Sequence, residues 1–139
     1  MRMTFYLKPI STNHAVKTMV RNGVAIKYKS KEAKEFENEF QKQWQQFKME
    51  ARTFKNSFDE SKHSIKFCAS IEIPNLYKKG KSINKKSVDI DNCLKYLQDC
   101  IFKNLQIDDA FITELHAYKM HGDKFRITCT VDEIINTCH

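Results

Sequence analysis

The stretch Val88-Asp89-Ile90-Asp91-Asn92-Cys93-Leu94-Lys95-Tyr96-Leu97-Gln98-Asp99 combines a helical pattern with a concentration of carboxylates. Its apolar residues, continued by one in the next turn, recur at the spacing of a single buried helical face. They are Ile90, Leu94, Leu97 and Ile101. The pattern predicts a helix over residues 89–103. Asn104 is expected to end it, because asparagine tolerates the left-handed conformation that closes helices.

The carboxylates of this stretch suggest a site for a divalent cation. Asp89 and Asp91 begin the predicted helix, and we expect the turn after it to bring Asp108 and Asp109 back beside them. Two carboxylates about 4 Å apart repel by roughly 4 kcal/mol at an intermediate dielectric, which a cation between them offsets. Hard oxygen ligands suit Mg²⁺, with Mn²⁺ as a substitute. Lys95 would orient water or stabilise charge on a phosphate beside the ion.

A purely structural interpretation of the same residues stays open on spacing alone. Asp89 would cap the helix, and Asp91 would favour its dipole. Asp91, Lys95 and Asp99, four residues apart, would form an exposed ladder of ion pairs worth a few tenths of a kcal/mol each. Asp108-Asp109 would be an ordinary turn.

The stretch also resembles the signature of the RusA-type Holliday-junction resolvases: a basic loop, Asp-x-Asp-Asn-x-x-Lys on a helix, a turn, and an Asp pair. The residues at matching positions are Asp89, Asp91, Asn92, Lys95 and Asp109, and Asp99 and Asp108 also agree. Ser11-x-Asn13 and the apolar segment 110–119, which ends in lysine, extend the resemblance over nearly the whole chain.

The resemblance implies roles for these residues. Asp89, Asp91 and Asp109 would hold the metal, and Asp108 would contribute to it or serve the turn. Lys95 would complete the catalytic set at the reacting phosphate. The resemblance further implies a homodimer, because a two-fold dimer presents one active site to each of the two symmetric cleavage points of a four-way junction.

Positive charge is concentrated in two segments of a chain whose net charge is +7. Residues 1–30 carry six basic residues and no acids, and residues 78–86 carry five lysines and no acids. Segmental charge of this kind is the footprint of a polyanion-binding surface, whereas a solvated surface that aids solubility is the alternative. Residues expected to contact DNA are Lys78, Lys79, Lys81, Lys85, Lys86, Arg21, Asn13 and Asn92.

The remaining patterns predict an α+β fold, with a mixed four-stranded sheet, an N-terminal hairpin and two helices packed on one face. Strands are expected over 3–8, 65–73, 112–120 and 125–131, with the last pairing antiparallel to the strand before it. Asn22-Gly23 predicts the hairpin, and Ser11-Thr12-Asn13 a turn. Ser30 is expected to cap a helix that runs to about residue 54. Its aromatic stripe indicates core or dimer packing rather than a base-stacking platform.

Composition sets the class of protein. Residues 1–139 are expected to form a single domain of the resolvase type, in the cytoplasm, because neither a signal-peptide core nor an uncharged membrane-length segment is present. Five scattered cysteines, Cys138 among them, indicate reduced thiols, most of them packed in the core. Gly80 is expected to give the lysine loop conformational freedom.

These observations lead to one functional hypothesis and two alternatives. The first is an Mg²⁺-dependent endodeoxyribonuclease that resolves Holliday junctions by paired nicks in DNA recombination and repair. The alternatives are a branched-DNA-binding protein without catalysis, and a nuclease for flaps or forks. No membrane partner is expected.

Overall fold

The structure is a computed structural model that describes residues 1–79 and 82–137. Three residues named above, Gly80, Lys81 and Cys138, lie outside these ranges. The elements in chain order are β1 (Arg2–Phe5), α1 (Thr12–Ala15), β2 (Val16–Arg21), β3 (Val24–Lys29), α2 (Lys31–Trp44), a 3₁₀ turn (Gln45–Phe47), α3 (Lys48–Ser57), β4 (His63–Ile73), α4 (Ile90–Leu105), a second 3₁₀ turn (Asp109–Phe111), β5 (Ile112–His121) and β6 (Arg126–Ile135).

Strand β4 is central to the main sheet, whose strand order is β1-β6-β4-β5. Alternate residues of β4 are buried on one face. They are Ile65, Phe67, Ala69, Ile71 and Ile73. β4 pairs in parallel with β5 and antiparallel with β6, and β6 pairs antiparallel with β1. The predicted mixed four-stranded sheet is therefore confirmed, and the α+β class with it.

The expected partner of β6 was wrong. β6 pairs with β4 and β1, and β4 separates it from β5. Residues 122–125 cross the end of β4, where the Gly122 amide donates to the Ile73 carbonyl at 3.2 Å. Four residues reach about 13 Å, enough to span the roughly 9.6 Å between strands on either side of one neighbour. The alternating pattern of β6 identifies a half-buried strand but does not identify its partner.

Helices α2 and α4 cover the buried face of the sheet through aromatic contacts. The Phe40 ring of α2 stacks on Phe5 of β1, with centroids 4.8 Å apart. Phe102 of α4 meets Phe67 of β4 edge-on at 5.6 Å. The aromatic residues of α2 buried in this core are Phe36, Phe40 and Trp44. The stripe is thus core packing, as predicted, and not a base-stacking platform.

The long helix predicted after Ser30 is interrupted. Ser30 caps it, accepting from the Ala33 amide at 3.1 Å, but a 3₁₀ turn separates α2 from α3. A 3₁₀ turn aligns residues three apart. This geometry sets Phe47 6.5 Å from Trp44 and 5.4 Å from Phe5, between ring centroids.

The first strand is shorter than predicted, because the Gln43 side chain bonds the backbone of Tyr6 in both directions, at 2.7 and 3.1 Å. The expected turn at Ser11-Thr12-Asn13 is the capped start of the one-turn helix α1, in which Ser11 accepts from the Asn13 amide. The hairpin is confirmed: β2 and β3 meet at Asn22 and Gly23, both with positive φ.

The helical stretch ends later than predicted. Asn104 is inside α4, where its amide donates to the Cys100 carbonyl at 2.8 Å and accepts from Gln41 at 3.0 Å. Gln106 takes the left-handed conformation instead, with φ 60° and ψ 38°. The two side-chain hydrogen bonds of Asn104 keep this residue in the helix. The preference of asparagine for turns did not indicate this.

Three cysteines, Cys93, Cys100 and Cys129, are buried core thiols as predicted, whereas Cys68 is only half-buried. Burial raises the pKa of Cys93 to about 11 and that of Cys100 to about 12. Among the described residues, no helix combines the length and apolar character needed to cross a membrane.

The left-handed Gln106 generates a prediction about stability. A non-glycine residue in this conformation costs about 1 kcal/mol, which glycine avoids. We expect Gln106→Gly to raise the free energy of unfolding by about 1 kcal/mol. Asn104→Gly, the matched control, should lower it by at least about 1 kcal/mol, because glycine is a poor residue inside a helix. Urea denaturation measures both, and a less stable Gln106→Gly would contradict the assignment of the helix end.

Candidate active site

The acidic residues of α4 lie on the face opposite its core contacts. The buried face is formed by Cys93, Leu94, Leu97, Cys100, Ile101, Phe102 and Leu105. Asp91, Lys95 and Asp99 are exposed on the other side, one turn apart from each other. Because one face of α4 is buried against the core, the charged side chains of the opposite face point towards solvent.

Asp89 precedes α4 as its N-cap residue. An aspartate in this position usually accepts a hydrogen bond from an amide of the first turn. Within the described part of the chain, the Asp89 side chain makes no such capping bond, and the residue is exposed. The Asp89 carboxylate therefore does not cap the helix, and it is available to bind a ligand.

Asp108 and Asp109 differ in what their side chains do. Asp108 accepts from the Ala110 amide at 2.8 Å and so caps the 3₁₀ turn. The Oδ2 atom of Asp109 accepts instead from Gln98 of α4 at 2.9 Å and from Lys95 at 3.2 Å. Asp108 therefore serves the turn, and Asp109 faces the helix.

Lys95 links the carboxylates of the helix and the turn. Its Nζ atom is 2.9 Å from Asp99 and 3.2 Å from Asp109. The bonds to Asp99 and then to Asp109 raise the pKa of Lys95. The bond from Gln98, followed by that from Lys95, holds the pKa of Asp109 below its usual value. Exposed pairs of this kind contribute about 0.3–0.5 kcal/mol, so a substrate phosphate can replace one at little cost.

The structure brings Lys95, Asp99 and Asp109 together, with Asp91 one turn earlier on the same face of α4. Asp109 thus lies beside the middle of the helix, further along than the first turn where we expected it. Over residues 1–79 and 82–137, no three His, Cys, Asp or Glu side chains are grouped closely enough to hold a metal ion as they stand. The donor set fits Mg²⁺ in its chemistry, but its present arrangement does not enclose an ion.

Comparison with models of protein families identifies the family of the chain. The family model described as Endodeoxyribonuclease RusA matches residues 7–132 of 139. The chain belongs to the RusA family of endodeoxyribonucleases. The match begins just after β1, runs into β6, and includes α4 and the Asp pair. No curated protein shows a significant match to the chain.

Most of the residues expected to contact DNA in this RusA-family chain are exposed. Lys78, Lys79, Lys85 and Lys86 are exposed on the loop between β4 and α4, while Lys81 is outside the described residues. The loop folds back on itself through a bridge between Tyr77 and Ile83. Arg21, at the end of the hairpin, and Asn13, in α1, are also exposed.

The structure supplies a role for Asn92. The Thr12 hydroxyl donates to its side-chain oxygen at 3.4 Å, which joins α1 to the first turn of α4. The contact places Thr12 next to the first turn of the helix that carries Asp91. Asn92 therefore helps hold the start of the helix.

Two residues of the RusA-family site were not assigned a role from the sequence. Gln98 holds Asp109, and Lys119 of β5 donates to the Ser87 hydroxyl and the Val88 carbonyl, both at 3.1 Å. Lys119 therefore fixes the segment that delivers Asp89. The sequence did carry a signal, since Lys119 shares its alternation with Leu115 and Ala117. Its pairing with buried Ile71 places it on the side of the sheet that faces the core. Gln98 gave no comparable signal.

The Gln98 contact generates a prediction about titration. Gln98→Leu removes the largest cause of the lowered pKa, so the pKa of Asp109 should rise in the metal-free protein. A carboxyl group whose pKa is lowered by folding stabilises the folded state at pH values above its ordinary pKa. This contribution is lost as the pH falls through the lowered pKa. The wild-type advantage in stability should therefore be present at neutral pH and disappear in acid.

Carboxyl ¹³C chemical shifts measured against pH test this expectation directly. Gln46→Leu, at an exposed glutamine outside the site, is the matched control and should leave the Asp109 titration unchanged. An identical Asp109 titration in wild type and Gln98→Leu would show that Gln98 does not hold the carboxylate.

Proposed function

We propose that this chain is an Mg²⁺-dependent endonuclease of the cytoplasm that resolves four-way DNA junctions by paired phosphodiester hydrolysis in recombination and repair. The observation that carries the proposal is the juxtaposition on α4. Exposed Asp89 and Asp91 follow directly on a loop with exposed lysines, in a chain of the RusA endodeoxyribonuclease family. The lysines attract the phosphate backbone of DNA, and the neighbouring acids attract a cation. The same phosphodiester would therefore lie close to both the lysines and the cation.

The metal would be held by Asp89, Asp91 and Asp109, with Asp108 left to cap its turn. When bound, Mg²⁺ neutralises charge on a phosphoryl oxygen and lowers the pKa of a bound water. Mn²⁺, which accepts the same oxygen ligands, would substitute.

Lys95 would act on the phosphate as a hydrogen-bond donor. Its ammonium is exposed and already oriented by Asp99 from the next turn of the helix. A positioned cation stabilises negative charge as it develops on the phosphate in the transition state. Asp99 would keep Lys95 in place while Asp109 turns to other partners.

The lysine loop and the hairpin would hold the arms of the junction. Non-specific attraction to phosphates needs exposed cations rather than a shaped pocket. Lys78, Lys79, Lys85 and Lys86 satisfy this condition, as does Arg21 at the end of the hairpin. Lys29 does not contribute equally, because its ammonium is engaged by Glu37 at 2.9 Å.

A homodimer would supply the second active site. Strand β5 is one edge of the sheet within the described residues, opposite β1, and it exposes Leu115, Tyr118 and Met120. Exposed apolar side chains on an open edge support pairing with another chain. Two sites related by a two-fold axis would cut the junction at symmetric positions.

Cleavage of a labelled four-way junction tests the proposal. Wild-type protein should nick the junction in Mg²⁺ and not in EDTA. Asp91→Asn should bind the junction with unchanged affinity and cut it at least a hundredfold more slowly, because it loses one metal ligand while the fold keeps its surface. Asp132→Asn, at an exposed aspartate of β6, is the matched control and should cut normally.

The same assay separates the alternatives. Binding of the junction by wild-type protein without metal-dependent nicks would identify a branched-DNA-binding protein without catalysis. Faster cutting of a flap or a fork than of the junction would identify a different substrate. Normal cutting by Asp91→Asn would overturn the assignment of the site.

The lysine loop generates a separate prediction. Replacing Lys78, Lys79 and Lys81 with alanine should weaken binding to junctions of any sequence. It should also reduce the slope of log affinity against log salt by about one unit for each lysine that contacts a phosphate. Alanine at Lys31, Lys48 and Lys62, outside both acid-free segments, is the control. An unchanged slope in the loop variant would show that these lysines do not contact DNA.

A further inference from the structure

A cavity of about 820 Å³ lies between the segment after β1, helix α2 and the segment that leads into α4. Its inner surface includes the aromatic rings of Phe36 and Phe125 together with Ile10 and Ile73. Phe36, Ile10 and Ile73 are buried core residues, so they give the cavity a firm apolar base. The core therefore fixes the base of the cavity, while exposed side chains such as Lys17 and Glu35 form its rim.

The charged groups of the cavity are lysines and glutamates. Lys8, Lys17 and Lys86 supply positive charge, while three glutamates of α2 supply hydrogen-bond acceptors. These glutamates are Glu32, Glu35 and Glu39. A phosphate is repelled by the glutamates, but the amino group of a nucleobase is a donor that carboxylates accept.

One aromatic ring of the cavity is only partly covered. Phe125 is half-buried in the connection between β5 and β6, and the Lys8 ammonium lies 5.9 Å from its ring centroid. Nucleobases stack on exposed aromatic faces, and cations near the ring add to the attraction. The amides of Asn13 and Asn75 line the same cavity. A side-chain amide offers both donors and an acceptor.

The cavity shares a wall with the acidic site. Val88 lines it and directly precedes Asp89. Ser11 and Asn13 also line it, and Thr12 between them donates to Asn92 in the first turn of α4. A nucleotide whose phosphate lies at the acids therefore has this cavity beside it.

We propose that this cavity binds one nucleobase extruded from the branch point of the DNA, next to the phosphate that is cut. The inference rests on the proposed function, because base pairs at a branch point lose stacking on one side. Extruding a base costs less where its stacking is already weakened. The cavity thereby places the reacting phosphate by holding the neighbouring base, and it favours branched DNA over a continuous duplex.

A thermodynamic cycle in binding tests the proposal, measured by fluorescence anisotropy in EDTA so that no DNA is cut. Phe125→Leu keeps apolar bulk but removes the flat ring. It should weaken binding of an intact junction by about tenfold, since stacking on an aromatic ring has about that value. A second series of junctions carries a single abasic site, placed at a different position near the branch point in each junction. The junction that lacks the base bound by the cavity should bind wild type and Phe125→Leu equally.

The control variant is Phe54→Leu, at a half-buried phenylalanine of α3 that does not line this cavity. It should affect intact and abasic junctions alike. Asn75→Ala, at an exposed residue outside the core, tests the polar side of the cavity and should show the same selective loss as Phe125→Leu, to a smaller degree.

The outcomes separate this proposal from the proposed function. Equal losses for Phe125→Leu on every junction, intact or abasic, would overturn the base-binding cavity while leaving metal-dependent cutting untouched. A selective loss in a protein that never cuts would support the cavity and overturn the nuclease assignment.

Discussion

The burial of one face of α4 against the sheet is the constraint on which the rest of the site depends. Phe102 meets Phe67 of the central strand, and the neighbouring apolar residues of the helix are buried with it. Burying a side chain of this size contributes about 1.5–3 kcal/mol, several times more than the exposed ion pairs on the opposite face. Apolar packing therefore sets the orientation of the helix, and the charged residues are free to serve a substrate.

The carboxylates divide accordingly into structural and available groups. Asp108 is used by its own turn, whereas Asp89 makes no capping bond within the described residues and Asp91 is exposed. Asp109 is held by neutral Gln98 and cationic Lys95, both on α4. A structural role therefore accounts for Asp108, and the bonds from Gln98 and Lys95 account for the position of Asp109. Neither explanation extends to Asp89 and Asp91.

The sequence predicted the elements of the fold more successfully than their partners. Apolar spacing identified α4, the central strand and the aromatic stripe, because each pattern reports directly which face is buried. The partner of β6 and the position of Asp109 along α4 depend on where distant segments meet, which spacing does not encode. The left-handed Gln106 was missed because asparagine has the stronger turn preference, and only the contacts of Asn104 with Gln41 and Cys100 reverse it. Lys119 was visible as a lysine in a core-facing position, but its bonds to Ser87 and Val88 required the folded chain.

The pairing of β1 with β6 has a consequence for the order in which the molecule is assembled. The first strand is hydrogen-bonded to the last, and the amino group of Met1 donates to the Val131 carbonyl at 3.0 Å. β6 also separates β1 from the central strand, so the sheet cannot close until residues 126–135 have been synthesised. Contacts of such high sequence separation fold slowly, because chain entropy is lost before they form. During synthesis, β1 therefore has no partner in the sheet until β6 has emerged.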